Sequence, residues 1–176
     1  MNVILLEYPT DDDWMGVKIR NLVTIGKRAV NPPDDTYKKR MLMARHSTIR
    51  YLRFSFYLED IPYYVSTHLV RHIHAQPYVK SQRNDRQSDY DRTKAPQDAP
   101  VNMIWDMNAE EFLTICNKRL CMTASPETRA VVKKMCELVK ESNPEFEQFM
   151  VPTCEYHGGV CQEFYSCGRY PMQEIK

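Results

Sequence analysis

The run Arg71-His72-Ile73-His74-Ala75-Gln76-Pro77-Tyr78-Val79-Lys80-Ser81-Gln82-Arg83 holds the densest set of side chains able to do chemistry. Arg71 and Arg83 carry planar guanidinium groups, whose forked donors match a phosphate or the edge of a nucleobase. Ser81 adds a short-range hydrogen bond between them. The same composition also suits a solvated surface loop, because runs of charge usually face water. Any anion binding must be local. The 176 residues include 24 Lys and Arg against 23 Asp and Glu, a formal net charge of +1. No global field therefore draws in nucleic acid, which needs a concentrated basic face. The five glycines form neither GxGxxG nor GxxxxGK, so a glycine-rich phosphate loop has no support.

A second group lies in the tail. Cys154, His157, Cys161 and Cys167 fall within fourteen residues, with Gly158, Gly159 and Gly168 allowing tight turns. Four such ligands can build a tetrahedral zinc knuckle. The spacing is not a pair of CxxC hooks, and reduced thiols packed against a core satisfy it equally well. No secretion signal opens the chain, so the six cysteines are expected to stay reduced or bind metal, and a cytoplasmic location is expected.

The elements that must position these groups follow from patterning. Val3–Leu6 reads as a strand. Asp11 to Asp13 can cap a helix reaching about Lys27, and Asn31-Pro32-Pro33-Asp34 breaks the chain before a helix over 36–44. The aromatic run 51–58 predicts a strand, Glu59-Asp60 a turn, and Pro62 the start of a helix continuing through Arg71. The polar stretch 76–100 reads as a long loop. Asn108 can cap a helix over about 109–122, with Phe112, Ile115, Cys116 and Leu120 as its apolar stripe. Ser125-Pro126-Glu127 is a strong helix start, with a capping hydroxyl, Pro at the first position and an acid at the positive dipole end. Asn143-Pro144 ends that helix. At 43% hydrophobic and 27% charged residues, the chain suits one domain over residues 1–151 and a Cys-rich tail over 152–176. No apolar run reaches the length of a membrane span.

Read in order, these blocks resemble the flavin-dependent thymidylate synthase family. Arg71-His72 and Ser81-x-Arg83 match the two ends of its signature RHRxxSxNxxSxRY. Ser47 to Phe56 is similar to its HxSxxEHxxFTF stretch. Asn117-Lys118-Arg119 and Ala124 to Arg129 resemble NxR followed by AQxEIR. The blocks keep their order and separation across roughly residues 44–132. The departures are equally specific. His68 stands where the family has Gln, Arg45 where it has His, Arg50 where it has Glu, and Ile73 where it has Arg. Gln76, Tyr78, Val79, Asn84, Ser125 and Pro126 replace its Ser, Asn, acid, Tyr, Gln and aromatic.

The resemblance implies an α+β fold, a small mixed or antiparallel sheet flanked by helices, of the thymidylate synthase-complementing-protein type. It implies FAD-dependent reductive methylation of dUMP to dTMP, with methylenetetrahydrofolate and NADPH as co-substrates, in a homotetramer whose sites lie between subunits. By carry-over, Arg129 and Ser81 are the catalytic candidates. Ser47, Arg71, His72, His74, Asn117 and Arg119 would hold the cofactor, and His68, Arg71, Ser81, Arg83 and Arg129 the substrate. Arg129 sits near a helix start, where a cation is mildly unfavourable. Such local conflicts often mark functional sites. Two alternatives stay open: a related flavin- or folate-dependent change at pyrimidine C5, and a non-catalytic nucleotide-binding protein with a zinc-knuckle tail.

Overall fold

Alternation builds the sheet. In the computed structural model, which describes residues 1–83, 85–86 and 91–174, Phe54, Phe56 and Leu58 bury one face of a strand, and Val101, Met103, Trp105 and Met107 bury the same face of its neighbour. The chain runs β1 (Asn2–Glu7), α1 (Asp11–Val23), α2 (Asp35–Met43), a 3-10 turn (Ser47–Tyr51), β2 (Arg53–Pro62) and α3 (Tyr63–Leu69). It continues through β3 (Gln76–Val79), β4 (Pro100–Asn108), α4 (Ala109–Arg119), α5 (Pro126–Ser142), a second 3-10 turn (Pro144–Phe149) and α6 (Thr153–Tyr156). The four strands pair antiparallel in the order β1-β2-β4-β3. The fold is α+β, as the resemblance implies. Phe54 opposes Met107, Phe56 opposes Trp105 and Leu58 opposes Met103, so each pair shares the buried face.

Helices cover that face. Phe112 of α4 lies 4.9 Å from Phe54 and 5.6 Å from Phe56 between ring centroids, and Phe146 meets Phe54 edge-on at 5.3 Å. Trp14 of α1 is fully buried and donates from Nε1 to Glu145 Oε1 at 2.7 Å. The opposite face of the sheet leaves Ile4, Tyr78 and Ile104 exposed.

Several elements differ from expectation. The cap of α1 is Thr10, not the acids that follow: its Oγ1 accepts from the Asp13 amide, and Asp13 accepts in return from the Thr10 amide. That helix ends at Val23, well before Lys27. Glu59-Asp60 is no turn. It lies inside β2 as a bulge, where the register shifts between Leu58 and Ile61 and Asp60 takes φ 50°. The Asn102 side chain accepts from the Asp60 amide there. The stretch expected as loop carries β3, an edge strand that tolerates Pro77, and it is followed by an unforeseen β4. Helix α3 stops at Leu69, because the chain must turn through residues 70–75 to bring β3 back against β4. Asn84 lies outside the described residues. Among the described residues, no helix is long and apolar enough to cross a membrane.

Trp14→Phe keeps an aromatic ring and removes the donor, leaving the buried Glu145 carboxylate short of a partner. We expect a loss of about 2 kcal/mol, read from the midpoint of urea unfolding.

Candidate functional site

Asn108 ends β4 and begins α4. Its Oδ1 accepts from the Glu111 amide at 2.9 Å, so the helix starts at a fixed place on the sheet. Two of the side chains that α4 then presents converge on the turn after α3. The Glu111 carboxylate lies 3.3 Å from His72 Nδ1, and both side chains are nearly closed to solvent, at 7% and 9% exposure. One helix end later, Arg119 donates from Nε to His72 Nε2 at 2.9 Å and from Nη2 to the His68 carbonyl at 2.8 Å. Trp105 backs the His72 ring edge-on at 6.0 Å. Arg71, exposed beside them, is close enough that its charge acts on Arg119. Burial first, and then Arg71, holds the Arg119 guanidinium below its usual range. Among the described residues neither Arg71 nor Arg119 makes an ion pair with a carboxylate.

His68 joins this cluster to α5. Its Nδ1 lies 3.2 Å from the Thr128 hydroxyl, which in turn accepts from Ser125 Oγ at 2.8 Å. Arg129 follows on the same helix. Its Nη1 donates to the Met122 and Ala124 carbonyls at 2.9 and 2.6 Å. A cation near a helix start is thus offset by carbonyls of the loop that follows α4, which is a structural use of Arg129.

Other expected site residues stand apart in the single chain. Ser81 accepts from the Arg83 amide, and Arg83 pairs with Asp85 in solvent. Ser47 is exposed at the first position of its 3-10 turn. His74 shares a cavity of about 340 Å³ with Arg50, Asn108, Glu110, Glu111 and Thr114. Asn117 is committed within the chain: Nδ2 donates to the Val151 carbonyl at 2.6 Å, and Oδ1 accepts from Arg45.

The four expected zinc ligands of the tail are not gathered at one point among the described residues. Among the described residues, no group of three or more His, Cys, Asp or Glu is placed to hold a metal ion. Cys154 turns into the body from α6, where burial pushes its thiol up. Cys161 is buried where its backbone bonds to Pro171 and Gln173, Cys167 is exposed, and His157 stacks edge-on against Tyr156. Gly158 and Gly159, both with positive φ, turn the chain between His157 and Cys161, and Gly168 turns it after Cys167. All six cysteines are free. Cys116 on α4 lies 3.5 Å from Cys136 on α5, and burial pushes the Cys116 thiol well up.

Sequence reasoning missed Glu111 and Trp105. Glu111 reads as an ordinary acid in a first helical turn, and only the fold brings it to a histidine remote in sequence.

An antiparallel sheet covered by helices, with a half-buried cationic cluster at one end of α4, defines an α+β protein with a site suited to an anionic ligand. Residues 87–145 match the family described as thymidylate synthase complementing protein. The flavin-dependent thymidylate synthases of Saccharolobus solfataricus and Sulfolobus acidocaldarius are 36% and 32% identical over 62 and 68 residues, or 35% and 39% of this chain. Those matches span only about a quarter of the relatives' length, 24% and 26%. The crystal structure of thymidylate synthase X from Helicobacter pylori with FAD and dUMP shares the fold at a TM-score of 0.67 and 15% identity, covering 85% of this chain and 97% of that one. Over 35% of its length the chain is similar to flavin-dependent thymidylate synthases, and it shares its fold with the Helicobacter pylori enzyme.

Cysteine alkylation checks the tail and the α4–α5 contact together. Iodoacetamide at pH 8 is expected to modify Cys167 readily and to spare Cys116 until the protein unfolds, because a thiol raised by burial stays protonated there. Mass spectrometry of the digested protein reads the order.

Proposed function

We propose that the protein binds FAD and dUMP and methylates dUMP reductively to dTMP, with methylenetetrahydrofolate as carbon donor and NADPH as reductant. The observation that carries this reading is the Arg71–Arg119 pair. The Arg119 guanidinium is partly desolvated and feels the charge of Arg71, and among the described residues neither makes an ion pair with a carboxylate. A diphosphate placed there offsets both penalties, so these residues fit a dinucleotide cofactor. His72 and Arg119 would hold it, and Arg71 would reach both cofactor and nucleotide. When bound, the flavin supplies the hydride.

The nucleotide would lie toward α5. Ser81 and Arg83 would grip its phosphate, and His68 would line the pocket against Thr128. Arg129 keeps Nε and Nη2 outside its two carbonyl contacts, and would polarise a uracil carbonyl as charge develops in the ring. Ser47 is exposed away from the cluster in one chain, and His74 borders it only through the cavity it shares with Glu111. They fit the reading through a second copy, in a homotetramer with sites between subunits, and the exposed apolar residues Ile4, Tyr78 and Ile104 support such an assembly.

A visible spectrum of the protein, taken after adding FAD and dUMP and then desalting, tests the proposal. A flavin band that stays with the protein and shifts with dUMP is expected. No retained band at saturating FAD would sink the flavin reading in favour of nucleotide binding without flavin chemistry. Arg119→Ala is expected to weaken FAD binding ten- to hundredfold, about 1.5–3 kcal/mol for charge-assisted hydrogen bonds, measured by flavin fluorescence.

A further inference from the structure

We propose that Glu111 is a positioning residue: its buried carboxylate holds His72 as the Nδ1–H tautomer, and the bare Nε2 then fixes Arg119. The hydrogen-bond directions leave little choice. A guanidinium only donates, so the 2.9 Å contact from Arg119 Nε requires an unprotonated His72 Nε2. A neutral imidazole carries one N–H, which must then sit on Nδ1. Glu111 Oε1, at 3.3 Å, is the partner the described residues offer to that proton.

Besides His72, the Glu111 side chain borders the cavity of about 340 Å³ that it shares with His74 and Arg50. The start of α4 is capped by the Asn108 side chain, not by the Glu111 carboxylate. A buried carboxylate is costly unless it is paired and hydrogen-bonded, and Glu111 spends its burial on a histidine. The gain appears at Arg119. With Nε held by His72 and Nη2 by the His68 carbonyl, the guanidinium plane is set by two contacts. Nη1 is left without a hydrogen-bond partner among the described residues, on a group that feels the charge of Arg71. A guanidinium fixed in this way reaches an anion without first losing rotamer freedom. Glu111 touches no ligand in this scheme and acts through His72.

The inference rests on the flavin-binding reading for what Arg119 holds, whereas the tautomer can be read without any flavin. The 176-residue chain with nitrogen-15 histidine, free of flavin at pH 7, gives long-range proton–nitrogen correlations that distinguish the two imidazole nitrogens. The expected wild-type His72 has a protonated Nδ1 and a bare Nε2. Glu111→Leu is expected to lose that preference and to weaken FAD binding about tenfold, the usual lower range for an outer-shell partner. Glu111→Gln, whose carbonyl can accept the same proton, is expected to keep both. If Glu111→Leu does not fold, Glu111→Asp, one methylene short of His72, takes its place with the same expectation. A wild-type Nε2–H tautomer, an unchanged tautomer on losing the Glu111 carboxylate, or equal losses in the Leu and Gln variants would overturn the proposal. Failure of the wild type to retain FAD, with His72 holding the Nδ1–H tautomer in the wild type and in Glu111→Gln but losing it in Glu111→Leu, would sink the flavin reading and support the positioning contact.

Discussion

The junction between β4 and α4 holds the rest of the site in place. Asn108 is paired with Arg53 in the sheet, its side chain caps the helix, and the next amide, that of Ala109, donates to the Leu52 carbonyl. Three constraints at one point leave α4 unable to slide or turn without breaking the ladder. From that start, the rise of about 1.5 Å and the turn of about 100° per residue decide which side chain goes where. Phe112 enters the aromatic cluster with Phe54 and Phe56, Glu111 beside it meets His72, and Arg119 emerges at the far end next to Arg71. Trp105 contributes from the sheet, filling the core and backing the imidazole at once.

Electrostatics in this molecule is local. With charges nearly balanced, most ion pairs lie on the surface, where each contributes little. The exception is the end of α4. There a guanidinium is partly withdrawn from water, faces a like charge, and receives only neutral acceptors from His72 and His68. Glu111 lies in the first turn of α4 and Arg119 at its last position, and the two are linked through the His72 imidazole. This leaves positive charge available for an external anion, which a direct Glu–Arg pair would have quenched.

The positions that depart from the family pattern have found partners of their own. Arg50 pairs with Glu110 on α4. Arg45, in the left-handed region at φ 47°, reaches Asn117 and lies 5.0 Å over the Tyr156 ring. Asn117 also holds the Val151 carbonyl, and its own carbonyl accepts from Thr153, so the start of the tail is stitched to α4 through a residue the family pattern assigns to cofactor. His68 bonds to Thr128 and packs edge-on against Tyr64 at 5.9 Å. Ile73 has no such role and is 83% exposed. The altered residues therefore make contacts of their own around the cluster, while Arg119 bonds to His72 and feels the charge of Arg71.

Local signals were legible in the residues themselves. Asn108 and Ser125 as caps, Pro126 at a first helical position, the apolar stripes of α4 and α5 and the strand through Phe54 and Phe56 all depend on neighbours within a few residues. So did the spacing of Arg71, His72, Arg119 and Arg129 that points to the family. Strands β3 and β4 were not legible: β3 has only four residues, with Pro77 among them, and β4 followed a polar stretch that masked its alternation. The bulge at Asp60 depends on Asn102 across the sheet, and the dispersal of Cys154, His157, Cys161 and Cys167 depends on turns that spacing alone cannot orient. Glu111 is the clearest case. Its residue type and its place in a first helical turn are local facts, but its partner is remote along the chain, and only the antiparallel sheet closes that distance.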